Sequence, residues 1–377
     1  MSPAEKRAVD FLIELLRAYS PFGQEGAASD LILSEMTRLG IRARRDEVGN
    51  VIGEVGSGAH PALLLCGHMD TVPGFIPVRV EGGTLYGRGA VDAKSSLASM
   101  ILSAGALAKE GINGRIIMAC VVDEEGEGRG IKNLMKGGLD IDYAIFGEPS
   151  GVSNITIGYK GSMRIILRIG TEPGHSSAPW LFENAIERAF ELWGAFKEFH
   201  LPGEDLSSKF YSITSCIMKI RGGSDSTSVP SECDLTIDLR FPPQISLEAI
   251  FSKARELVDK FREEHPKVSV DLEFGDITKP FEADRRSPLV RALSWAIRTE
   301  LRKQPTLLRK TGTADLNVLG EVLKVPMVAY GPGDSRLDHT PHERIDIREY
   351  LDSIRVYKAA IRRLFELHRA GPEEGIP

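Results

Sequence analysis

A histidine and an aspartate at the end of an apolar run are the first residues in the sequence whose types and position suit a functional site. Residues 63–71 read Leu-Leu-Leu-Cys-Gly-His-Met-Asp-Thr, so His68 and Asp70 directly follow a segment of strand length. Buried strands of open α/β sheets present their functional side chains at their carboxyl ends. We interpret His68 as a metal ligand and Asp70 as a residue that supports it. A strand that simply ends in a polar turn is the alternative.

Acidic residues follow other apolar runs in the same way. Carboxylates crowded at the end of a buried strand repel one another and are costly to desolvate, and a nearby cation would compensate them. The alternatives are an acidic surface turn, a helix cap for the aspartate that precedes a predicted helix, and a surface position for the loop histidine. These further candidates are Asp92, Glu124, Glu125, Glu148 and His339.

Two imidazoles and three carboxylates suit a pair of divalent cations. We expect His68 and Glu148 to bind the first ion. Glu125 and His339 would bind the second ion, and Asp92 would bridge the two. Three carboxylates leave part of the charge of two divalent ions uncompensated, which suits a bridging hydroxide. Imidazole combined with carboxylate favours zinc, or the similar ion cobalt, over magnesium and calcium.

The second glutamate of the Glu124–Glu125 pair indicates catalysis beyond metal binding. Successive strand side chains alternate in direction, so Glu124 can face a metal-bound water while Glu125 binds an ion. We expect Glu124 to act as the general base. A non-catalytic metal-binding module would not need this residue. The sequence has no GxSxG elbow, P-loop or strand–GxGxxG–helix motif, which argues against a serine hydrolase or a dinucleotide-binding enzyme.

The hydrophobic pattern predicts an α/β protein with two domains. Strands and helices alternate in the first part of the chain and again after about residue 280. The intervening segment has the order β-α-β-β-α-β, which is typical of a ferredoxin-like unit. We therefore predict a catalytic domain of residues 1–159 and 276–377, with a central mixed sheet flanked by helices. Residues 160–275 would form an inserted ferredoxin-like α+β domain.

Composition limits the class of protein. The 377 residues are 42% hydrophobic and 27% charged, as in ordinary globular proteins, and the net charge of −6 gives no attraction to nucleic acid or to anionic membranes. There is no apolar stretch of about 18 residues and no signal-peptide pattern. The four cysteines lack CxxC spacing, which suits a reducing compartment. We expect a soluble cytoplasmic protein that contacts neither nucleic acid nor membrane.

Several motifs resemble the metallopeptidase family that includes acetylornithine deacetylase, succinyl-diaminopimelate desuccinylase and carboxypeptidase G. The resemblance covers nearly the whole chain and implies that the five ligands named above bind two zinc or cobalt ions. It also implies that Glu124 is the general base and that Asp70 orients the first imidazole. Many relatives have a glycine where Ser95 stands, a difference expected to alter helix packing but not ligation. The similar segments are 67–73, 87–94, 124–125, 147–149 and the loop of His339.

The resemblance extends to the predicted inserted domain, and two further segments are similar to one subgroup of the family. His175, within Gly-His-Ser-Ser, matches a histidine that stabilises the tetrahedral intermediate in a neighbouring subunit, which implies a homodimer. Segments 157–162 and 310–317 are similar to hydrolases that release lysine or ornithine from the C-terminal glutamate of an amino-group carrier protein, in lysine and arginine biosynthesis. This implies an acidic carrier protein as the partner.

The identity of the substrate stays open at this point. Arg240, Lys310 and Thr311 are candidates for binding it. A basic run between residues 298 and 310 is either a solvated face or a docking surface for an acidic carrier. A small-molecule deacylase acting on acetylornithine or succinyl-diaminopimelate, and a dipeptidase or carboxypeptidase, would use the same metals and the same base.

Overall fold

The computed structural model describes residues 1–371. The helices are α1 Pro3–Arg17, α2 Gly26–Arg38, α3 Lys94–Glu110, α4 Arg129–Lys136, α5 Ala185–Lys197, α6 Leu247–Glu264, α7 Pro288–Leu301, α8 Asp315–Val322 and α9 Ile347–Ala370. The strands are β1 Arg42–Arg45, β2 Val51–Val55, β3 Ala62–His68, β4 Arg79–Glu81, β5 Thr84–Tyr86, β6 Arg115–Val121, β7 Tyr143–Phe146, β8 Asn154–Tyr159, β9 Gly161–Gly170, β10 Gly174–His175, β11 Thr214–Gly222, β12 Ser228–Val229, β13 Glu232–Phe241, β14 Ser269–Thr278, β15 Phe281–Glu282, β16 Thr306–Lys310, β17 Met327–Ala329 and β18 Arg344–Asp346.

The chain forms two compact units. Unit 1 contains Met1–Gly158, Ala283–Arg309 and the described residues from Ala314 onward, and unit 2 contains Tyr159–Glu282 and Lys310–Thr313. Each unit has its own hydrophobic core. The domain boundaries predicted from the sequence stay a prediction.

A mixed sheet forms the centre of unit 1. Its strand order is β1-β2-β6-β3-β7-β17-β8, and β16 pairs with β8. The four neighbouring strands β6, β3, β7 and β17 are parallel to one another. Strand β2 is antiparallel to β6, and β8 is antiparallel to β17. Every residue of β3 is buried, as expected for a central parallel strand covered on both faces. The predicted α/β class with a mixed sheet is confirmed.

Local hydrogen bonds fix both ends of helix α1 in unit 1. Ser2 and Glu5 form a capping box that begins α1. Lys94, in the first turn of α3, is buried, and its Nζ donates to the carbonyls of Leu15 and Ala18 at the end of α1. Burial lowers the pKa of Lys94 to about 7. These bonds tie the end of α1 to the turn that carries Asp92.

Unit 2 contains an antiparallel sheet with the order β11-β13-β9-β14. Helix α5 lies between β9 and β11 in the chain, and α6 lies between β13 and β14. This is the β-α-β-β-α-β order expected from the sequence. Strand β13 alternates between buried and more exposed residues because one face of the sheet packs against α5 and α6 while the other does not.

Within residues 1–371, no helix combines the length and the apolar character needed to cross a lipid bilayer.

Candidate functional site

The carboxyl ends of the parallel strands meet at one edge of the unit 1 sheet. His68 is the last residue of β3, and Glu125 and Glu148 follow β6 and β7. Asp92 precedes α3, and His339 lies in the loop between β17 and β18. Residues that are far apart in the chain thus meet at the edge where parallel α/β sheets place their active sites.

The first group of potential ligands is formed by His68, Asp92 and Glu148. One ligand atom from each residue lies within 4.8 Å of the others. The His68 side chain is 1% exposed, and its Nε2 lies 3.3 Å from Oδ1 of Asp92. A deeply buried imidazole that faces carboxylates suits a borderline divalent cation.

The second group is formed by Asp92, Glu125 and His339. Nε2 of His339 lies 3.1 Å from Oδ2 of Asp92 and 2.9 Å from Oε1 of Glu125. These two hydrogen bonds raise the pKa of His339 to about 10. Asp92 therefore belongs to both groups and faces them with different carboxylate oxygens. An aspartate placed in this way can offer one oxygen to each of two cations.

The imidazole of His68 is oriented by a contact on its other nitrogen. Nδ1 of His68 lies 3.0 Å from the backbone carbonyl oxygen of Asp70, to which it can donate, and 3.6 Å from Oδ1 of the same residue. A proton on Nδ1 leaves Nε2 free to bind an ion. The shorter contact thus comes from the carbonyl of Asp70 and not from its carboxylate.

The carboxylate of Asp70 holds the backbone of the two glutamates. Its Oδ1 accepts the N–H of Glu124 at 3.1 Å, and its Oδ2 accepts the N–H of Glu125 at 2.9 Å. Asp70 is fully buried. One buried carboxylate thereby fixes both the expected base and the neighbouring expected ligand.

Glu124 belongs to neither group of potential ligands. Burial raises the pKa of Glu124 well above its ordinary value, and the neighbouring carboxylates of Asp315, Glu148 and Glu125 add to this effect. A carboxylate with a raised pKa is a stronger base than an ordinary glutamate side chain. The environment of Glu124 is therefore suited to proton transfer.

The other candidate residues belong to unit 2. His175 is exposed in β10, which pairs with β12, and its Nδ1 accepts the N–H of Ser177 at 3.2 Å. Arg240 donates to Asp238 at 2.6 Å and to the hydroxyl of Thr313 at 3.4 Å. Lys310 and Thr311 precede that threonine, so Arg240 lies beside the segment that contains both of them.

Two buried acidic residues of unit 1, Asp315 and Glu343, were not among the site residues predicted from the sequence. Burial raises the pKa of Asp315, at the start of α8, to about 7, and this residue interacts electrostatically with His68 and Glu148. Glu343 contacts the turn that carries Asp92. Asp315 lies in the segment 310–317, which is similar to the carrier-protein hydrolases. Nothing in the sequence indicated that the side chains of Asp315 and Glu343 are buried.

Comparison with known proteins gives relatives along the whole chain. A protein of Pyrococcus horikoshii named for LysW-lysine and LysW-ornithine hydrolysis is 42% identical over 361 residues, which cover 96% of this chain and 98% of the relative. The LysW-lysine hydrolase of Deinococcus radiodurans is 34% identical over 372 residues, covering 96% and 98% of the two chains.

Solved structures show the same fold. The aminopeptidase PepT of Bacillus cereus has a TM-score of 0.81 at 21% identity, and the match covers 96% of this chain and 98% of that one. The family model of peptidase family M20/M25/M40 matches residues 64–363. This family is metal-dependent, which agrees with the two groups of ligand atoms that share Asp92. The chain belongs to peptidase family M20/M25/M40.

Proposed function

We propose that this protein is an amide hydrolase that releases lysine or ornithine from the C-terminal glutamate of the carrier protein LysW. The observation that carries the hydrolytic activity is the pair of ligand groups joined through Asp92, with the non-ligand Glu124 half-buried beside them. The choice of substrate is supported by full-length relatives that are named for LysW-lysine or LysW-ornithine hydrolysis. Hydrolysis of the amide returns the free amino acid and the carrier's carboxylate.

Two divalent ions, zinc or alternatively cobalt, would complete the centre. His68 and Glu148 would hold the first ion, Glu125 and His339 would hold the second, and Asp92 would contribute one oxygen to each. When bound, the ions polarise the amide carbonyl and acidify the attacking water.

The residues of the chain supply the proton transfers. Glu124 takes a proton from the attacking water and passes it to the nitrogen of the leaving amine as the C–N bond breaks. Asp70 keeps Glu124 in place through the backbone bond described above. His175 is proposed as a donor to the oxyanion of the partner subunit's reaction, which makes a homodimer part of the proposal.

A hydrolysis panel tests the substrate. The purified protein, loaded with zinc or cobalt, is given carrier-linked lysine, carrier-linked ornithine, acetylornithine, succinyl-diaminopimelate and a dipeptide, and the released amino acid is quantified. We expect turnover of the carrier conjugates to exceed that of the small amides. Faster turnover of acetylornithine or succinyl-diaminopimelate would assign a small-molecule deacylase, and faster turnover of the dipeptide would assign a peptidase.

Docking of an acidic carrier predicts a selective effect of two exposed cations. Helix α7 ends at Leu301, and Arg302 and Lys303 follow on the surface of unit 1. Reversing both to glutamate is expected to lower kcat/KM for the carrier conjugate about 10-fold or more at low salt, because charge complementarity accelerates association. Turnover of a small N-acyl amino acid should not change.

The matched control for this docking experiment reverses Lys260 and Lys267, which are exposed cations of unit 2. The control variant should process both substrates normally. An equal loss on the carrier conjugate and on the small amide in the Arg302/Lys303 variant would contradict docking at that surface.

The proposed homodimer has a candidate surface on unit 2. In the described part of the chain, β11 is an edge strand that pairs only with β13. It exposes Met218 at 62% and Ile220 at 41%, and Phe190 of the adjacent α5 is 54% exposed. An open strand edge beside apolar side chains favours pairing with a second copy.

Substituting Met218 and Ile220 with lysine should therefore convert the dimer to a monomer, as measured by light scattering after size exclusion. If His175 acts in the partner's site, the monomer should also lose hydrolysis. The control is Ile277→Lys on β14, the opposite edge strand, where Ile277 is 41% exposed. A double variant that remains a dimer with unchanged circular dichroism would exclude this surface.

A further inference from the structure

Glu343 links the loop of His339 to the turn that carries Asp92. One carboxylate oxygen, Oε1, accepts the backbone N–H groups of Val91 and Asp92, each at 2.9 Å. Glu343 is 1% exposed and stands immediately before β18. Since β18 pairs with β5, the turn after β5 and the loop before β18 run side by side.

Arg88 completes this connection from the other side. Its Nη1 donates to Oε2 of Glu343 at 2.9 Å and to the carbonyl of Thr340 at 3.1 Å, and its Nε donates to the carbonyl of Gly74 at 3.0 Å. The side chain of Arg88 is 8% exposed. One buried guanidinium thus contacts the loop of His339 directly next to that histidine.

The loop needs such support because the backbone of His339 is unusual. Its φ angle is 60°, in the left-handed region that residues other than glycine adopt infrequently. The side chain of His339 is also 52% exposed, so packing alone does not fix it. The position of Nε2 opposite Asp92 and Glu125 therefore depends on what holds the neighbouring backbone.

We propose that the Arg88–Glu343 pair positions Asp92 and His339 relative to each other and thereby sets the affinity for the ion held by Asp92, Glu125 and His339. Neither residue of the pair supplies a ligand atom to the two groups. The inference rests on the proposed dinuclear centre. It predicts an asymmetry, since the pair holds the backbone beside two ligands of the second ion, Asp92 and His339, but beside only one ligand of the first ion, Asp92.

The test measures metal affinity separately from catalysis. Metal-free wild-type protein and the variants Glu343→Gln and Arg88→Lys are titrated with Co²⁺ and with Zn²⁺ against a chelator. Visible absorption follows the two binding steps of Co²⁺, and calorimetry follows those of Zn²⁺. Loss of the charged acceptor or of the guanidinium fork should lower the affinity for the second ion about 10- to 100-fold, as for other residues that orient metal ligands. The affinity for the first ion should fall much less.

Glu35→Gln is the matched control, because Glu35 is also buried and paired with arginines, Arg7 and Arg38, but lies in α2. This control should lower the melting temperature of the metal-free protein and leave both metal affinities unchanged. If Glu343→Gln does not fold, Arg88→Lys retains a cation beside Glu343 and still reports on the loop.

The outcomes separate this inference from the proposed function. Variants that fold and bind both ions as the wild type does would overturn the positioning role alone. An equal weakening of both ions would also overturn it, since that result is general destabilisation. A wild-type protein that binds no second ion would overturn the dinuclear centre and the positioning role together.

Discussion

Glu124→Gln is expected to retain both metal ions and to lose about 100- to 10,000-fold in kcat, the usual contribution of a positioned general base. The amide has nearly the same shape as the carboxylate but cannot accept a proton from water. Since Glu124 belongs to neither ligand group, its neutralisation leaves the ligand set intact. Metal content after dialysis and the rate of release of the amino acid are the two measurements.

The neighbouring residue provides the control for this variant. Glu125→Gln alters a member of the second ligand group, so it should lower metal content as well as hydrolysis. A Glu124→Gln protein that hydrolyses at the wild-type rate would contradict the assignment of the base. A variant that loses metal in parallel with activity would instead place Glu124 among the ligands.

Asp92→Asn is expected to weaken both ions, because Asp92 is the residue shared by the two ligand groups. An amide presents one oxygen and one N–H₂ group and carries no charge, so it cannot offer an acceptor to each cation. We expect both affinities to fall at least about 10-fold, and hydrolysis to fall with them. Stoichiometry at a fixed, low free concentration of Zn²⁺ measures this effect.

Two single variants show whether the loss is specific to the bridge. Glu148→Gln should lower the affinity for the first ion only, and His339→Gln should lower the affinity for the second ion only, because each residue belongs to one ligand group. An Asp92→Asn protein that loses one ion and keeps the other at wild-type affinity would exclude the bridging role. These titrations also test the ligand assignments themselves, which stay a prediction.

The strand ends were predictable because their pattern is local. Strand β3 is a continuous apolar run that ends in His68, and β7 is another that is followed by Glu148. The apolar run and the abrupt change to polar residues after it lie within a few positions of each other in the chain. The ferredoxin-like order of unit 2 was predictable for the same reason.

The short helices were harder to anticipate. The hydrophobic pattern did not predict α4 or α8, which have eight residues each. A helix of two turns shows little periodicity, and its stability comes from tertiary packing more than from local propensity. Asp315 was missed together with α8, because its chemistry follows from burial at the start of that helix.

By itself the sequence determined the family, the alternation of strands and helices, and the types of side chain available for metal binding and proton transfer. Only the tertiary structure decided how these side chains are arranged. Asp92 turns one oxygen to His68 and the other to His339. Arg88 contacts Glu343, which lies 255 positions further along the chain. Side-chain distances between remote segments depend on how sheet edges and loops pack, and no local periodicity records that packing.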